Sequence, residues 1–274
     1  MHKLTARSIF KLPVRVARIA RTFRTFRTFR TFGAIAFIVL ANPSYAQEAP
    51  WYSFSKWLGI VTVGSGTLAT EIRVAEGFQE VAVAGSIKVL LRQSGREGVE
   101  ISADNNLLPL IETRVSDGTL HIKPVRGGAY TSNNPVTVTV DFKALKTLSL
   151  GGSGVVTGTA LKGATLKLAI GGSGDVKLSD VQLADLSVSV GGSGSFAASG
   201  RSNKLTVSVG GSGGVLTEQL DADDVSIALA GSGGAVVKAN RTLRVSIAGS
   251  GSVVHSGNAV PSTSLAGSGT VMKR

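Results

Sequence analysis

The sequence contains no cysteine. That removes disulfides, thiolate catalysis, cysteine-ligated metals and lipid attachment through an N-terminal cysteine. Histidine is nearly as scarce, with three in 274 residues. His121 and His255 stand far apart, have no partners at metal-ligand spacing, and each reads as a surface histidine. Aromatic residues make up only 5% of the chain. After Val140 the only two are Phe142 and Phe196, so any interior there must be narrow and aliphatic. Acidic residues are missing from positions 1–46, which carry nine of the 29 lysines and arginines. The remainder holds 20 basic against 17 acidic residues. Nine of the twelve net positive charges therefore belong to the leading segment, leaving a net of +3 on the rest, and no nucleic-acid partner is expected.

That leading segment has the layout of a cleavable secretory signal peptide. A basic region, with Arg-Thr-Phe four times in succession over 21–32, precedes the apolar stretch Gly33–Ala41 and then Ser44-Tyr45-Ala46. Small residues at 44 and 46 place cleavage between Ala46 and Gln47. The apolar stretch is about half the ~20 residues a spanning helix needs, so no stable membrane span is expected after cleavage. The mature chain is expected in the periplasm or outside the cell. Residues 47–70 form a lead-in containing Trp51, Tyr52, Phe54 and Trp57, which reads as a cap over the first coil.

The triplet Gly-Ser-Gly occurs seven times: Gly152-Ser153-Gly154, Gly172-Ser173-Gly174, Gly192-Ser193-Gly194, Gly211-Ser212-Gly213, Gly231-Ser232-Gly233, Gly249-Ser250-Gly251 and Gly267-Ser268-Gly269. Successive steps are 18–20 residues, a period that marks a repeat architecture. Two residues before each triplet stand Leu150, Ile170, Val190, Val209, Leu229, Ile247 and Leu265. Four before stand Leu148, Leu168, Val188, Val207, Ile227, Val245 and Thr263; six before, Lys146, Leu166, Leu186, Leu205, Val225, Leu243 and Pro261. Alternate residues share one face of a strand, so these form three inward columns, broken only in terminal repeats. The intervening Ser, Thr and Ala residues face outward. A second strand follows each triplet, with Val156, Val176, Phe196, Val215, Ala235, Val253 and Val271 as inward candidates. Glycine supplies the positive φ and close backbone approach that a corner repeated in every layer demands.

Six aliphatic side chains per coil contribute roughly 1.5–3 kcal/mol each. Ordering twenty residues costs about 1.5 kcal/mol each. A lone coil cannot fold, and stacking is obligatory. The expected fold is all-β: a single-stranded β-helix, or β-solenoid, with one coil per repeat over 143–274. Residues 71–142 are less regular. Gly85-Ser86 looks like a degenerate corner, and Asp117-Gly118 is a hairpin turn signal. Asp104-Asn105-Asn106 reads as a turn or N-cap before a short helical turn at Leu107–Ile111.

Catalytic signals are weak. Gly210-Gly211-Ser212-Gly213-Gly214 matches a nucleophile elbow by letter, but an elbow needs a helix after the strand, and none is indicated. A calcium-binding nonapeptide roll needs Asp where Val176 and Phe196 stand. Asp221, Asp223 and Asp224 make an acidic knot, read as a solvated turn against the alternative of a polysaccharide lyase or hydrolase site. No catalytic, metal or cofactor residues are assigned.

Several stretches carry a family likeness: Phe78–Leu91, Ala103–Leu108, Ile111–Thr113 with Asp117–Leu120, and the Leu-Ser-Leu-Gly-Gly-Ser-Gly repeats from Leu148. Over about 71–272 the chain resembles the bacterial "putative auto-transporter adhesin, head GIN domain" family. The resemblance implies right-handed winding and an exported head domain over 71–274, without catalytic residues. The expected role is a surface-binding or envelope scaffold. Its partner would be a glycan, a cell-surface polymer or a protein, and self-association through exposed strand edges is a further option.

Overall fold

The computed structural model describes residues 61–126 and 128–274. The segment read as a signal peptide, the cleavage site expected at Ala46–Gln47, and Trp51–Trp57 lie outside the described residues. Nearly three quarters of the described residues are strand, with one 3₁₀ turn at Leu108–Leu110 and no α-helix among them.

The strands run β1 (Thr62–Val63), β2 (Leu68–Arg73), β3 (Glu80–Ala84), β4 (Lys88–Gln93), β5 (Gly98–Asp104), β6 (Ile111–Ser116), β7 (Thr119–Pro124), β8 (Tyr130–Thr131) and β9 (Thr137–Phe142). The repeat array continues with β10 (Thr147–Gly152), β11 (Val155–Thr159), β12 (Lys162–Gly172), β13 (Asp175–Gly192), β14 (Ser195–Gly211), β15 (Gly214–Gly231) and β16 (Gly234–Gly249). It ends with β17 (Ser252–Ser256), β18 (Pro261–Gly267) and β19 (Thr270–Lys273). From β10 onward each coil pairs in parallel with the next, giving a β-solenoid. The segment before each corner builds one long side, which we call side A. The segment after it builds side B.

The inward columns are the core. Leu150, Ile170, Val190, Val209, Leu229 and Ile247 are buried, as are their counterparts two and four residues earlier from Leu166 to Leu243. Val156, Val176, Phe196, Val215, Ala235 and Val253 line side B, all buried. Val271 is only partly buried and Leu265 is 49% exposed, because no described coil covers the layer they belong to.

One corner is rigid and the other absorbs variation. In the Gly-Ser-Gly corner the first glycine has φ between 106° and 130° in all seven copies. A Cβ on Gly192 would lie 2.5 Å from the Gly172 carbonyl oxygen, so the layers stack closer than any side chain allows. The Ser193 N–H donates to that same oxygen at 2.9 Å, and Ser212, Ser232 and Ser250 repeat the bond. The second corner has no common residue: Ala160 and Asp180 (φ 57° and 55°) and Gly200 occupy it in successive coils. Register shifts fall there, between Leu178 and Val181 and between Ala197 and Ser199. The step of 19 instead of 20 residues between Gly192 and Gly211 is taken up at the first of these shifts, where Val181 pairs with Gly200.

Stacking in residues 71–142 does not follow chain order. β3 pairs with both β7 and β10, and β4 with both β9 and β11, all in parallel. Residues 80–93 are therefore inserted between the layer made by 119–142 and the first regular repeat. Gly85 continues the corner column: its N–H donates to Gly151 O at 2.9 Å. Beyond β7 and β9 the pairing turns antiparallel, through the β6–β7 hairpin and the β2–β5–β9 sheet. Asp117 and Gly118, with φ of 52° and 75°, make the two-residue hairpin turn, whose double positive φ matches strand twist.

This N-terminal end is closed. Phe78, Leu107, Ile111 and Leu120 are fully buried there. Arg73 reaches across from β2, donating to the carbonyl oxygens of Ile111 and Leu108 and to Thr113 Oγ1 while its Nε pairs with Glu71 at 3.0 Å.

Candidate functional site

The outward face of side A is built from alternate residues of eight in-register strands. One column runs Ala82, Ser149, Ala169, Ser189, Ser208, Ala228, Ser246, Ser264. Its neighbour runs Ala84, Gly151, Gly171, Gly191, Gly210, Ala230, Ala248, Ala266. These positions point outward because their neighbours in sequence are the buried columns. No side chain in either column exceeds serine in size, so the face is flat. At the third outward position Lys167 and Arg244 interrupt the Thr and Ser pattern.

The seven corner serines, from Ser153 to Ser268, are all exposed and form a hydroxyl column along one edge. The second glycine of each corner is buried except Gly269, which is half-buried. Ser212 leads into β15, not into a helix, so it lacks the setting of a nucleophile elbow.

Asp221, Asp223 and Asp224 lie on β15 where the coil bends, not in an open turn. Each carboxylate is paired with a cation on a neighbouring coil. Lys238 Nζ is 2.5 Å from Asp221, and Arg201 lies 3.8 Å from Asp223. Arg241 pairs with Asp224, which also accepts from Thr242 Oγ1 at 2.7 Å. Hydrogen bonds from Arg241 first, then Thr242, hold the Asp224 carboxyl below its ordinary pKa. A general acid needs the opposite shift. The knot is an ionic ladder across coils.

His255 corrects the sequence expectation of a surface residue. It is 2% exposed on β17, and its Nδ1 has no hydrogen-bond partner. The cause is register: it continues the inward side-B column below Val237. Burial, then the charge of Lys273 on the next coil, pushes its pKa down. His121 is half-buried on β7.

Asp104 is the polar residue whose role sequence reasoning missed. It does not cap the 3₁₀ turn, whose N-cap Leu107 has no side-chain cap bond. It is instead buried, accepting from Ser132 Oγ at 2.6 Å and Asn134 Nδ2 at 2.7 Å. These donors hold its carboxyl below the usual range. Asn105 and Asn106 extend the tie to Ser65, so three loops are fastened at one point. Distant polar loop residues carry no local pattern that foretells such a knot. Among the described residues no three His, Cys, Asp or Glu side chains group to hold a metal. Nor is any helix there long and apolar enough to cross a membrane.

Fold and surface define an adhesin-like β-solenoid: a stacked repeat that offers long, flat, in-register faces. The chain belongs to the family described as "putative auto-transporter adhesin, head GIN domain", whose model matches residues 77–259. A crystal structure described as a "putative lipid binding protein" from Parabacteroides distasonis is similar at 26% identity and a TM-score of 0.66, over 78% of this chain and 100% of that one. A "putative adhesin" from Bacteroides fragilis shares the fold at 23% identity and a TM-score of 0.70, over 77% and 99%. Another from Parabacteroides distasonis does so at 22% identity and a TM-score of 0.63, over 78% and 100%. No curated protein matches. The family and these neighbours are described as adhesins or binding proteins, which points to an extracellular or surface location.

Proposed function

We propose that this protein is exported through a cleavable signal peptide over residues 1–46 and works in the periplasm or outside the cell as a non-enzymatic binding module. Its ligand is an extended glycan or similar cell-surface polymer lying along the outward face of side A. The observation that carries this reading is the two small-residue columns repeating in register over eight strands. A polymer lying along them meets small side chains and backbone at a ~4.8 Å repeat, with a serine hydroxyl at five of the eight positions of the first column. Rigidity lowers the entropic cost of such binding. The paired state of the Asp221–Asp224 ladder supports a role without turnover.

The test is a glycan-array screen of the purified protein, run beside a turnover assay on acidic polysaccharides. Ser189→Arg with Ser208→Arg alters only exposed positions. Loss of binding in this variant at an unchanged melting temperature supports the reading. Release of product that disappears on changing Asp221 and Asp224 to Asn overturns it.

A further inference from the structure

We propose that the aromatic segment Trp51–Leu58 folds back onto the outer face of β2 and covers it. The observation behind this is that β2 is amphipathic in the wrong sense. In an antiparallel pair, directly opposed residues project from the same face. Ala69, Glu71 and Arg73 oppose Ala103, Ile101 and Val99, all three buried. The side of β2 turned toward the core therefore carries the Glu71–Arg73 pair that closes the end of the solenoid. The side turned away carries Leu68, Thr70 and Ile72, with Val74 continuing the alternation. Leu68 is 58% exposed, Ile72 82% and Val74 89%. β2 pairs only with β5 among the described strands, so its other edge is open as well.

Three properties of this face choose its occupant. It is small: three aliphatic side chains fall well short of the ~800 Å² per partner that a stable interface between separate molecules buries. A tethered segment needs far less, because its effective concentration is in the millimolar range. Second, the tether exists. Trp57 is 11 residues before Leu68 and Trp51 is 17 before it. At ~3.3 Å per extended residue, either reaches any point on a six-residue strand. Third, the segment brings Trp51, Tyr52, Phe54, Trp57 and Leu58, an apolar surface to match the stripe. A lipid surface fits less well. Glu100 stands opposite Ile72 on the same face and is exposed, and its carboxylate disfavours contact with anionic headgroups.

Trp51 and Trp57 are the only tryptophans in the sequence. Indole fluorescence of the full chain therefore reports on this segment alone, whether or not the leader has been removed. Docking predicts blue-shifted emission and acrylamide quenching severalfold weaker than in the urea-unfolded chain. Ile72→Glu and, separately, Val74→Arg change exposed positions, so circular dichroism and melting should match the parent. In both variants quenching should rise toward the unfolded level. The proposal is overturned if the parent chain quenches like the unfolded one, or if protection survives both variants. It is equally overturned if protection grows with protein concentration, which means a second copy, or arises only on adding phosphatidylglycerol vesicles, which means a membrane.

Discussion

Replacing Gly211 by alanine should be among the most damaging single-methyl changes this chain can suffer. Gly211 has φ of 130°, and a Cβ there would lie 2.6 Å from Gly192 O and 3.2 Å from Gly192 N. Both atoms are backbone of the preceding coil. That carbonyl already accepts the Ser212 N–H at 3.0 Å, so it cannot withdraw without breaking the stack. Backbone strain of about 1–3 kcal/mol adds to overpacking of about 1–3 kcal/mol. A midpoint near 4 kcal/mol lowers the melting temperature by about 8–16 °C in a domain of this size. Gly210→Ala is the control. Nothing lies within 4 Å of its added methyl, and the equivalent positions in later coils are Ala230, Ala248 and Ala266. Its effect, like that of Ser212→Ala at an exposed hydroxyl, should stay within about 0.5 kcal/mol. Thermal unfolding by circular dichroism ranks the three variants. Because repeat arrays can open in parts, amide exchange in β14 and β15 should localise the loss. A Gly211→Ala chain that melts with Gly210→Ala would refute the close-stacked corner.

The two remaining predictions concern pH. His255 is buried with a lowered pKa, so the unfolded chain binds its proton more readily than the folded one. Stability should be level above the ordinary imidazole value of 6.5 and fall as pH drops below it, with β17 and β19 exchanging first. His255→Val, matching Val237 above it in the column, should flatten that slope without loss at neutral pH. Asp104 has a lowered carboxyl pKa, so its contribution is complete above the ordinary value of 3.8 and is lost as acid protonates the folded form. Asp104→Ala should leave the solenoid intact but accelerate amide exchange at Ser65–Thr67 and Ser132–Asn134. Unchanged exchange there would remove the knot's fastening role.

Periodicity determined most of the array. The alternation of aliphatic and small residues decides which side chains enter the core, and the Gly-Ser-Gly corner recurs because no other residue tolerates that φ against a neighbouring backbone. Gly85-Ser86 and Asp117-Gly118 were legible for the same local reason. Adjacency was not. Nothing local in residues 80–93 says that they lie between 119–142 and the first repeat, because a degenerate coil records its inner face and not its neighbours. His255 sits in an inward register, yet its burial depends on the coils above and below it. The second corner has no signature because bulges let several residue types make that bend. The inverted face of β2 follows from its place beyond the last core layer, where the closed end needs Arg73 inside and leaves Ile72 outside. Backbone conformation and side-chain alternation are properties of a few consecutive residues. Which strand lies beside which, and what an end must cover, are settled only when distant segments meet.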